Sequence, residues 1–125
     1  MVDVCASMRN YLMNHPDVDF PVYIDSRPQE VTDCITLVLN GGNDSTFFFG
    51  YPKTIIKPMV AIYVRSSSYG KGYAEICKVI QALKQYTDAT NNINGVSMIG
   101  NISSLGHDDQ RRSELLIVYN VLAEE

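Results

Sequence analysis

Residues 66–72 (Ser-Ser-Ser-Tyr-Gly-Lys-Gly) come nearest in composition to a chemical site in this chain. They follow an apolar stretch and precede a helical pattern, where backbone N–H groups and the helix dipole could hold a phosphate. The spacing differs from the nucleotide-binding loop G-x-x-x-x-G-K-[ST], because Lys71 is followed by Gly72 and not by a hydroxyl residue that would hold magnesium. The pattern favours a strand-to-helix turn with a serine N-cap, and nucleotide binding is the alternative.

Two other segments, residues 15–19 and 107–109, combine a histidine with carboxylates, a mixture that can ligate zinc or another divalent metal. The chain has only two histidines, so a metal site would require both segments to converge, and ordinary polar loops are the favoured interpretation. Cys5, Cys34 and Cys77 lie among apolar neighbours, where a thiol packs in its reduced form rather than ionising. We therefore expect no catalytic residue, no cofactor and no metal.

Arg65 and a run of aromatic residues are the candidates for contacts with other chains. Arg65 follows six apolar residues, and its guanidinium can reach a carboxylate in fork geometry. A salt bridge, within the chain or between subunits, is favoured over substrate binding. The run Phe47, Phe48, Phe49 and Tyr51 exceeds what one face of a strand needs, because alternate side chains point to opposite sides. The second aromatic face needs a cover, either the chain's own helix or another subunit.

Length and charge indicate one acidic domain, residues 1–125. With 125 residues and 46% apolar content, the chain can bury roughly two-thirds of its unfolded surface. The net charge of -4 argues against nonspecific nucleic-acid binding. Residues 1–50 carry -5, residues 51–84 carry +5 and residues 85–125 carry -4. This order either presents faces of opposite sign to neighbouring copies or is mixed over a solvated surface.

The sequence gives no indication of a membrane segment. The N-terminus lacks a basic leader, and the longest apolar runs, residues 59–64 and 115–119, fall far short of the ~20 residues that span a bilayer. We therefore expect a protein that is made in the cytoplasm and does not enter the membrane.

The elements that would position these residues follow from apolar periodicity and turn residues. Helical spacing covers residues 2–14, extended segments cover residues 22–25, 33–40, 47–52 and 55–66, and strands are expected at 96–103 and 113–122. Residues 41–44 are expected to form a turn, and Pro58 an edge or bulge. The helix after Arg65 is expected to bury Tyr73, Ile76, Cys77, Ile80 and Leu83 and to expose Glu75, Lys78, Gln81, Lys84 and Gln85.

These elements predict an α+β fold. We expect a mainly antiparallel sheet of four to five strands, with two helices packed on one face and the order α-β-β-β-α-β-β.

Several of these segments together resemble a known family. They are the strand ending in Val64-Arg65 with its Ser/Tyr/Gly turn and helix, the loop at residues 105–109 (Leu-Gly-His-Asp-Asp), and the closing strand that begins Arg-Ser-Glu at residue 112. The pattern resembles the small tail-terminator or tail-completion proteins of long-tailed bacteriophages, also described as minor capsid proteins. The similarity extends from the N-terminal helix to the last strand.

The resemblance implies a structural subunit of a ring, usually a hexamer, without catalysis. Such a ring caps the completed tail tube and joins it to the head, so its partners are copies of itself, the major tail tube protein and a head-completion or connector protein. DNA passes through the lumen without specific recognition. The expected location is the head-tail neck of the virion, after assembly in the host cytoplasm.

The resemblance also implies where neighbouring subunits or the tube protein make contact. The family's hairpin matches residues 40–51, and the interface residues that we expect are Phe47, Phe48, Phe49, Tyr51, Arg65, Tyr69, Lys71, Asp108 and Asp109. Another neck component or a tube-like protein is an alternative of the same class. A small ligand-binding or nucleotide-binding α+β domain that uses the turn at residues 66–72 is the alternative of a different class.

Overall fold

Two helices and a seven-stranded sheet make up the computed structural model, which describes residues 2–47, 50 and 53–124. The elements are α1 (Val4–Met13), β1 (Val22–Ile24), β2 (Cys34–Leu39), β3 (Asn43–Phe47), β4 (Thr54–Lys57), β5 (Met59–Ser66), α2 (Tyr69–Leu83), β6 (Ile93–His107) and β7 (Ser113–Glu124).

The sheet is built around the antiparallel pair β5 and β7. Their register runs from Met59 opposite Asn120 to Ser66 opposite Ser113. Strand β2 flanks β5 and β6 flanks β7, both antiparallel, whereas β1 pairs with β2 in parallel. The predicted α+β fold with a mainly antiparallel sheet is therefore confirmed.

The sheet has seven strands where four to five were expected, and Pro58 accounts for one of the additional strands. Residues 55–66 were expected to form one strand, but Pro58 divides this segment into β4 and β5, because proline has no N–H for the ladder. The Pro58 carbonyl still accepts a hydrogen bond from the Val121 N–H at 2.8 Å. β4 thus continues along β7, with Ile56 opposite Ala123.

The hairpin differs from the one expected at residues 40–51. β3 begins at Asn43, inside the predicted turn, and pairs with β4 rather than with β2. Both β2 and β3 therefore lie along the same side of the β4–β5 line. Gly41 and Gly42 connect them with φ angles of 65° and 104°, which glycine adopts without a Cβ penalty.

Both helices pack on one face of the sheet, as predicted. Alternate residues of the two central strands face them, including Val60, Ile62, Val64, Leu115 and Ile117. The helices contribute Met8, Leu12, Ile76, Val79 and Leu83 to the same core. Neither helix covers the opposite face, where Val38, Leu116 and Val118 are half-buried and Leu122 is exposed.

The buried stripe of α2 is rotated relative to the prediction. Tyr73 was expected to be buried and Glu75 to be exposed, yet Tyr73 is 42% exposed and Glu75 only 2%. The buried residues of the helix are Gly72, Glu75, Ile76, Val79, Ala82 and Leu83. The helix approaches the sheet through Gly72, a position that apolar periodicity does not register because glycine has no side chain.

The cysteines are reduced and mostly buried, and the helices were also compared with the length needed to span a membrane. Cys5 and Cys34 are buried and Cys77 is half-buried, and all three are free thiols. Burial raises the pKa of Cys5 to about 11 and also raises the pKa of Cys34. In the part of the chain that is described, no helix has the length and apolar character needed to cross a membrane.

The close packing of α2 predicts opposite effects for two glycines of its first turn. A Cβ at Gly72 would lie 2.6 Å from the buried Ser66 Oγ, whereas a Cβ at Gly70 would meet nothing within 4 Å. Gly70→Ala should stabilise the protein by up to about 1 kcal/mol through helix propensity. Gly72→Ala should be less stable than Gly70→Ala by about 1–3 kcal/mol, because either the buried Ser66 hydroxyl must give up its hydrogen bond to the Ser68 carbonyl or the helix must move away from β5. Urea unfolding followed by circular dichroism measures both, and an equal gain in the two variants would contradict this packing.

Candidate functional site

Arg65 lies at the end of β5 and is only 3% exposed. Its Nη2 donates to the Val31 carbonyl at 2.6 Å and to the Pro28 carbonyl, and it thereby holds the loop at residues 25–33 against the end of the sheet. Within the described residues, no carboxylate lies within ion-pair distance of this guanidinium. The salt bridge predicted for Arg65 is therefore absent from the described part of the subunit, and a bridge between subunits stays a prediction.

Asp108 organises the loop between β6 and β7. Its Oδ1 accepts the backbone N–H groups of Gln110 at 3.0 Å and Arg112 at 2.8 Å, and its Oδ2 accepts Arg112 Nε at 2.7 Å. Desolvation raises the pKa of Asp108, but the hydrogen bonds from Arg112 and Gln110 outweigh it and hold the pKa below its ordinary value. Arg112 is 5% exposed and also donates Nη1 to the Gln29 carbonyl at 2.7 Å.

These groups converge on one cleft of about 430 Å³ at the end of the sheet. Its wall includes Arg65, Arg112, Asp108, the exposed Asp109 and the pair Arg27–Glu114, whose atoms Nη1 and Oε2 are 3.2 Å apart. Arg27 also lies over the Tyr63 ring, 5.0 Å from its centroid. Arg65, Asp108 and Asp109, which the sequence indicated separately, are thus brought together, and we call this the arginine cleft.

The turn before α2 is filled by groups of the chain itself. Ser68 is the N-cap and its hydroxyl accepts the Lys71 N–H at 3.3 Å. Asp33 Oδ1 accepts the Ser67 N–H at 3.2 Å, and Asp33 Oδ2 forms an ion pair with Lys71 Nζ. A carboxylate of the protein therefore takes the position and the cation that a bound phosphate would use, so this geometry does not favour nucleotide binding.

Tyr69 and Tyr73 form an exposed aromatic pair on the first turns of α2. Their side chains are 53% and 42% exposed, their ring centroids are 5.8 Å apart and their planes are inclined by 30°. Aromatic side chains of this kind are enriched at the centres of protein interfaces. The sequence analysis proposed Tyr69 as an interface residue, which stays a prediction, whereas it assigned Tyr73 to the core.

The remaining candidates from the sequence are the aromatic run and the two segments that contain histidine. Phe48, Phe49 and Tyr51 lie outside the described residues, as does the side chain of Phe47. His15 Nδ1 accepts the Asp17 N–H at 3.2 Å, as in an ordinary turn. Over the described ranges, no group of three or more His, Cys, Asp or Glu residues is arranged to hold a metal ion.

Glu75 is a structural residue that sequence reasoning placed on the surface. Its Oε2 accepts the backbone N–H groups of Asp19 at 2.8 Å and Phe20 at 3.0 Å, and its Oε1 lies 3.8 Å from Lys78 Nζ. It thereby fixes the chain between α1 and β1 against α2. In the sequence, Glu75 lies next to Ile76 and four residues before Val79, and both of these residues are fully buried. This helical spacing was the signal that could have predicted the burial of Glu75.

A second polar network joins α1 to the end of α2. Ser7 Oγ donates to Asp88 Oδ2 at 2.5 Å and contacts the Tyr86 hydroxyl, while the Tyr11 hydroxyl donates to the Ala82 carbonyl at 2.6 Å. The Ser7 hydrogen bond holds the pKa of Asp88 below its ordinary value, and burial raises the pKa of Tyr86. The network thus ties Ser7 of α1 to the segment after α2.

The comparisons with known proteins identify the family. A family model described as a bacteriophage tail terminator protein matches residues 6–125. The chain belongs to this family. As a tail terminator family member, it is a structural protein of the bacteriophage virion, which confirms the resemblance noted in the sequence.

A solved structure carries a fold similar to this tail terminator family member. A chain from the virion of a native gene transfer agent particle matches with a TM-score of 0.68 and 13% sequence identity. The match covers 98% of this chain and 95% of that chain. None of the curated proteins matches.

Glu75→Ala should destabilise the protein by about 3 kcal/mol, because the substitution leaves the buried Phe20 N–H without an acceptor and Lys78 without its buried partner. Lys78→Ala is the matched control and should cost much less than Glu75→Ala, since the ammonium and its partner Asp19 are exposed and Glu75 keeps both of its backbone donors. Urea unfolding of both variants measures the difference. Equal losses would mean that Glu75 acts through Lys78 and not through the backbone.

Asp108→Asn should lower stability at pH 7 and lose this effect in acid. Because the folded-state pKa of Asp108 lies below the ordinary value of 3.8, its contribution is present above pH 3.8 and disappears as the pH falls through the folded-state pKa. The free energy of unfolding of wild type and variant should therefore converge below pH 3.8 in urea titrations. Asp109→Asn is the control and should change little at any pH, because its exposed carboxylate makes no hydrogen bond within the described residues. A difference that persists in acid would contradict the assigned role.

Proposed function

We propose that this protein forms a closed ring, expected to be a hexamer, that caps the completed tail tube and joins it to the head connector. The observation that carries the proposal is the match to the tail terminator family over residues 6–125. The partners are copies of the chain, the major tail tube protein and a head-completion or connector protein, and the ring lies at the head-tail neck of the virion with DNA passing through its lumen.

The two sides of the sheet support contact between copies. The outer side of β6 pairs with no other strand among the described residues, and the opposite edge is formed by the short strands β1 and β3. Free backbone groups on an edge strand tend to pair with another chain unless they are protected. Two unlike edges suit a head-to-tail contact, which closes into a ring when the rotation between copies permits it.

Irregularities of β6 would make such a contact selective. Its register with β7 shifts between Ile99 and Ser103 and again between Ser104 and Gly106. Gly100 and Gly106 have φ angles of 67° and 82° at these places. Bulges twist an edge strand and restrict which strand can pair with it.

The exposed side chains favour particular contact residues. Tyr69 and Tyr73 offer aromatic anchors, and the uncovered face of the sheet carries the exposed Leu122. The β3–β4 hairpin, with its aromatic run, is proposed as a further contact to a neighbouring subunit or to the tail tube. One end of the subunit carries Lys71, Asp108 and Asp109. Arg65 and Glu114, which lie opposite each other in the β5–β7 ladder, are at the same end.

The proposal predicts concentration-dependent assembly. Sedimentation velocity and light scattering should detect a closed species of about six times the 14.0 kDa chain, and electron microscopy should image it as a ring on the end of tail tubes. A monomer at every concentration, both alone and with tail tubes, would contradict the proposal.

A double variant, Tyr69→Ala with Tyr73→Ala, should weaken assembly by about 10- to 100-fold in dissociation constant, because aromatic anchors commonly contribute 1.4–2.8 kcal/mol or more. Met13→Ala removes an exposed apolar side chain of similar exposure at the end of α1 and should leave assembly unchanged. Equal behaviour of the two variants would place the interface elsewhere on the subunit.

A further inference from the structure

Two of the three arginines in the arginine cleft form ion pairs with carboxylates of the same cleft. Arg112 is bound to Asp108, and Arg27 is bound to Glu114. Arg65 faces Glu114 across the β5–β7 ladder, but that carboxylate is bound to Arg27 instead. Arg65 is thus the one arginine of the cleft without a carboxylate partner among the described residues.

The surroundings of Arg65 satisfy its guanidinium only in part. Nη2 is bound to two carbonyl oxygens, whereas Nε is buried and has no hydrogen-bond partner among the residues that the structure describes. Burying a charge is unfavourable unless an opposite charge and hydrogen bonds compensate it. A buried donor without an acceptor adds a further desolvation cost. Both features would be relieved by a negatively charged acceptor beside Arg65.

The chemistry of the wall selects the kind of anion. The guanidinium of Arg65, which has no carboxylate partner among the described residues, matches one negative charge. Asp108 and Glu114 are paired with Arg112 and Arg27, and the remaining carboxylate of the wall, Asp109, repels a dianion such as phosphate more strongly than it repels a monoanion. The planar guanidinium binds a carboxylate in fork geometry. A cleft of about 430 Å³ is wide enough for an acidic side chain.

We infer that the arginine cleft receives a carboxylate side chain from a second copy of this chain, which lies against Arg65. This inference rests on the proposed ring, in which every cleft needs one identical occupant and a neighbouring copy supplies it in the correct number. The chain has a surplus of carboxylates, with fourteen acidic against ten basic residues. Most of the surplus lies in residues 1–50 and 85–125, outside the basic segment that contains Arg65.

The test observes the Arg65 Nε–H by NMR in protein labelled with ¹⁵N-arginine. The chain has five arginines, and replacing Arg9, Arg27 and Arg111 singly by lysine removes one signal each and so assigns three of the five. Arg27→Lys serves for assignment only, because Arg27 belongs to the cleft and is paired with Glu114. The remaining two signals belong to Arg65 and Arg112, and Arg112→Lys or Arg65→Lys separates them. Sodium acetate is the carboxylate probe, and sodium chloride and sodium phosphate at equal ionic strength are the controls.

Acetate should shift the Arg65 signal of the dilute protein in a saturable way, whereas chloride and phosphate should shift it at least about tenfold less at equal concentration. Concentration-driven assembly should move the same signal in the same direction without acetate. Arg65→Lys, which keeps the charge and loses the fork, should weaken assembly by about tenfold or more in sedimentation. If that variant does not fold, the wild-type signal alone decides the outcome.

Each failure has a separate meaning. A ring that forms while the Arg65 signal stays unchanged would overturn the inference and leave the proposed function intact. An acetate response in a protein that never assembles would overturn both the second copy as the source and the ring. No response to acetate or assembly, or an equal response to phosphate, would overturn the carboxylate site.

Discussion

The antiparallel pairing of β5 with β7 is the contact on which the rest of the structure depends. It joins the middle of the chain to its end, and the other strands add to it on both sides. Alternate residues of the two strands form the side of the hydrophobic core that packs against both helices. Arg65 and Glu114 lie at the polar end of the ladder. A single ladder therefore fixes both the hydrophobic core and the position of the arginine cleft.

One-sided cover of this ladder links the fold to its role in a virion. A sheet with helices on one face has a second face and two edges that the subunit leaves open, and a structural protein can use them for assembly. Polar links such as Glu75 and Ser7 hold the covering helices in place. Two further groups of hydrogen-bonded polar side chains lie at the cleft and at the turn before α2.

The errors of sequence reasoning have physical causes that lie in tertiary contacts. Apolar periodicity placed Glu75 outward because it reads a carboxylate as a surface group, whereas two backbone N–H groups from a distant segment compensate its burial. It placed Tyr73 inward because it reads a tyrosine as apolar. Residues 40–51 were read as a local hairpin, but β2 and β3 instead share one side of the β4–β5 line. The clustering of Arg65, Asp108 and Asp109 depended on strand register, which no local pattern specifies.

The sequence by itself determined the α+β class, the positions of most helices and strands, an irregularity at Pro58 and the family resemblance. These features follow from local properties, namely apolar period, turn residues and the missing N–H of proline. Only the tertiary structure decided which strands pair, which face of α2 is buried and where each charge finds its partner. Those outcomes depend on contacts between residues far apart in the chain, such as Glu75 with Phe20 and Arg112 with Gln29. For the same reason the phosphate-like turn at residues 66–72 could be interpreted only after Asp33 was located against it, because a carboxylate from another strand decides whether that turn is free to bind an anion.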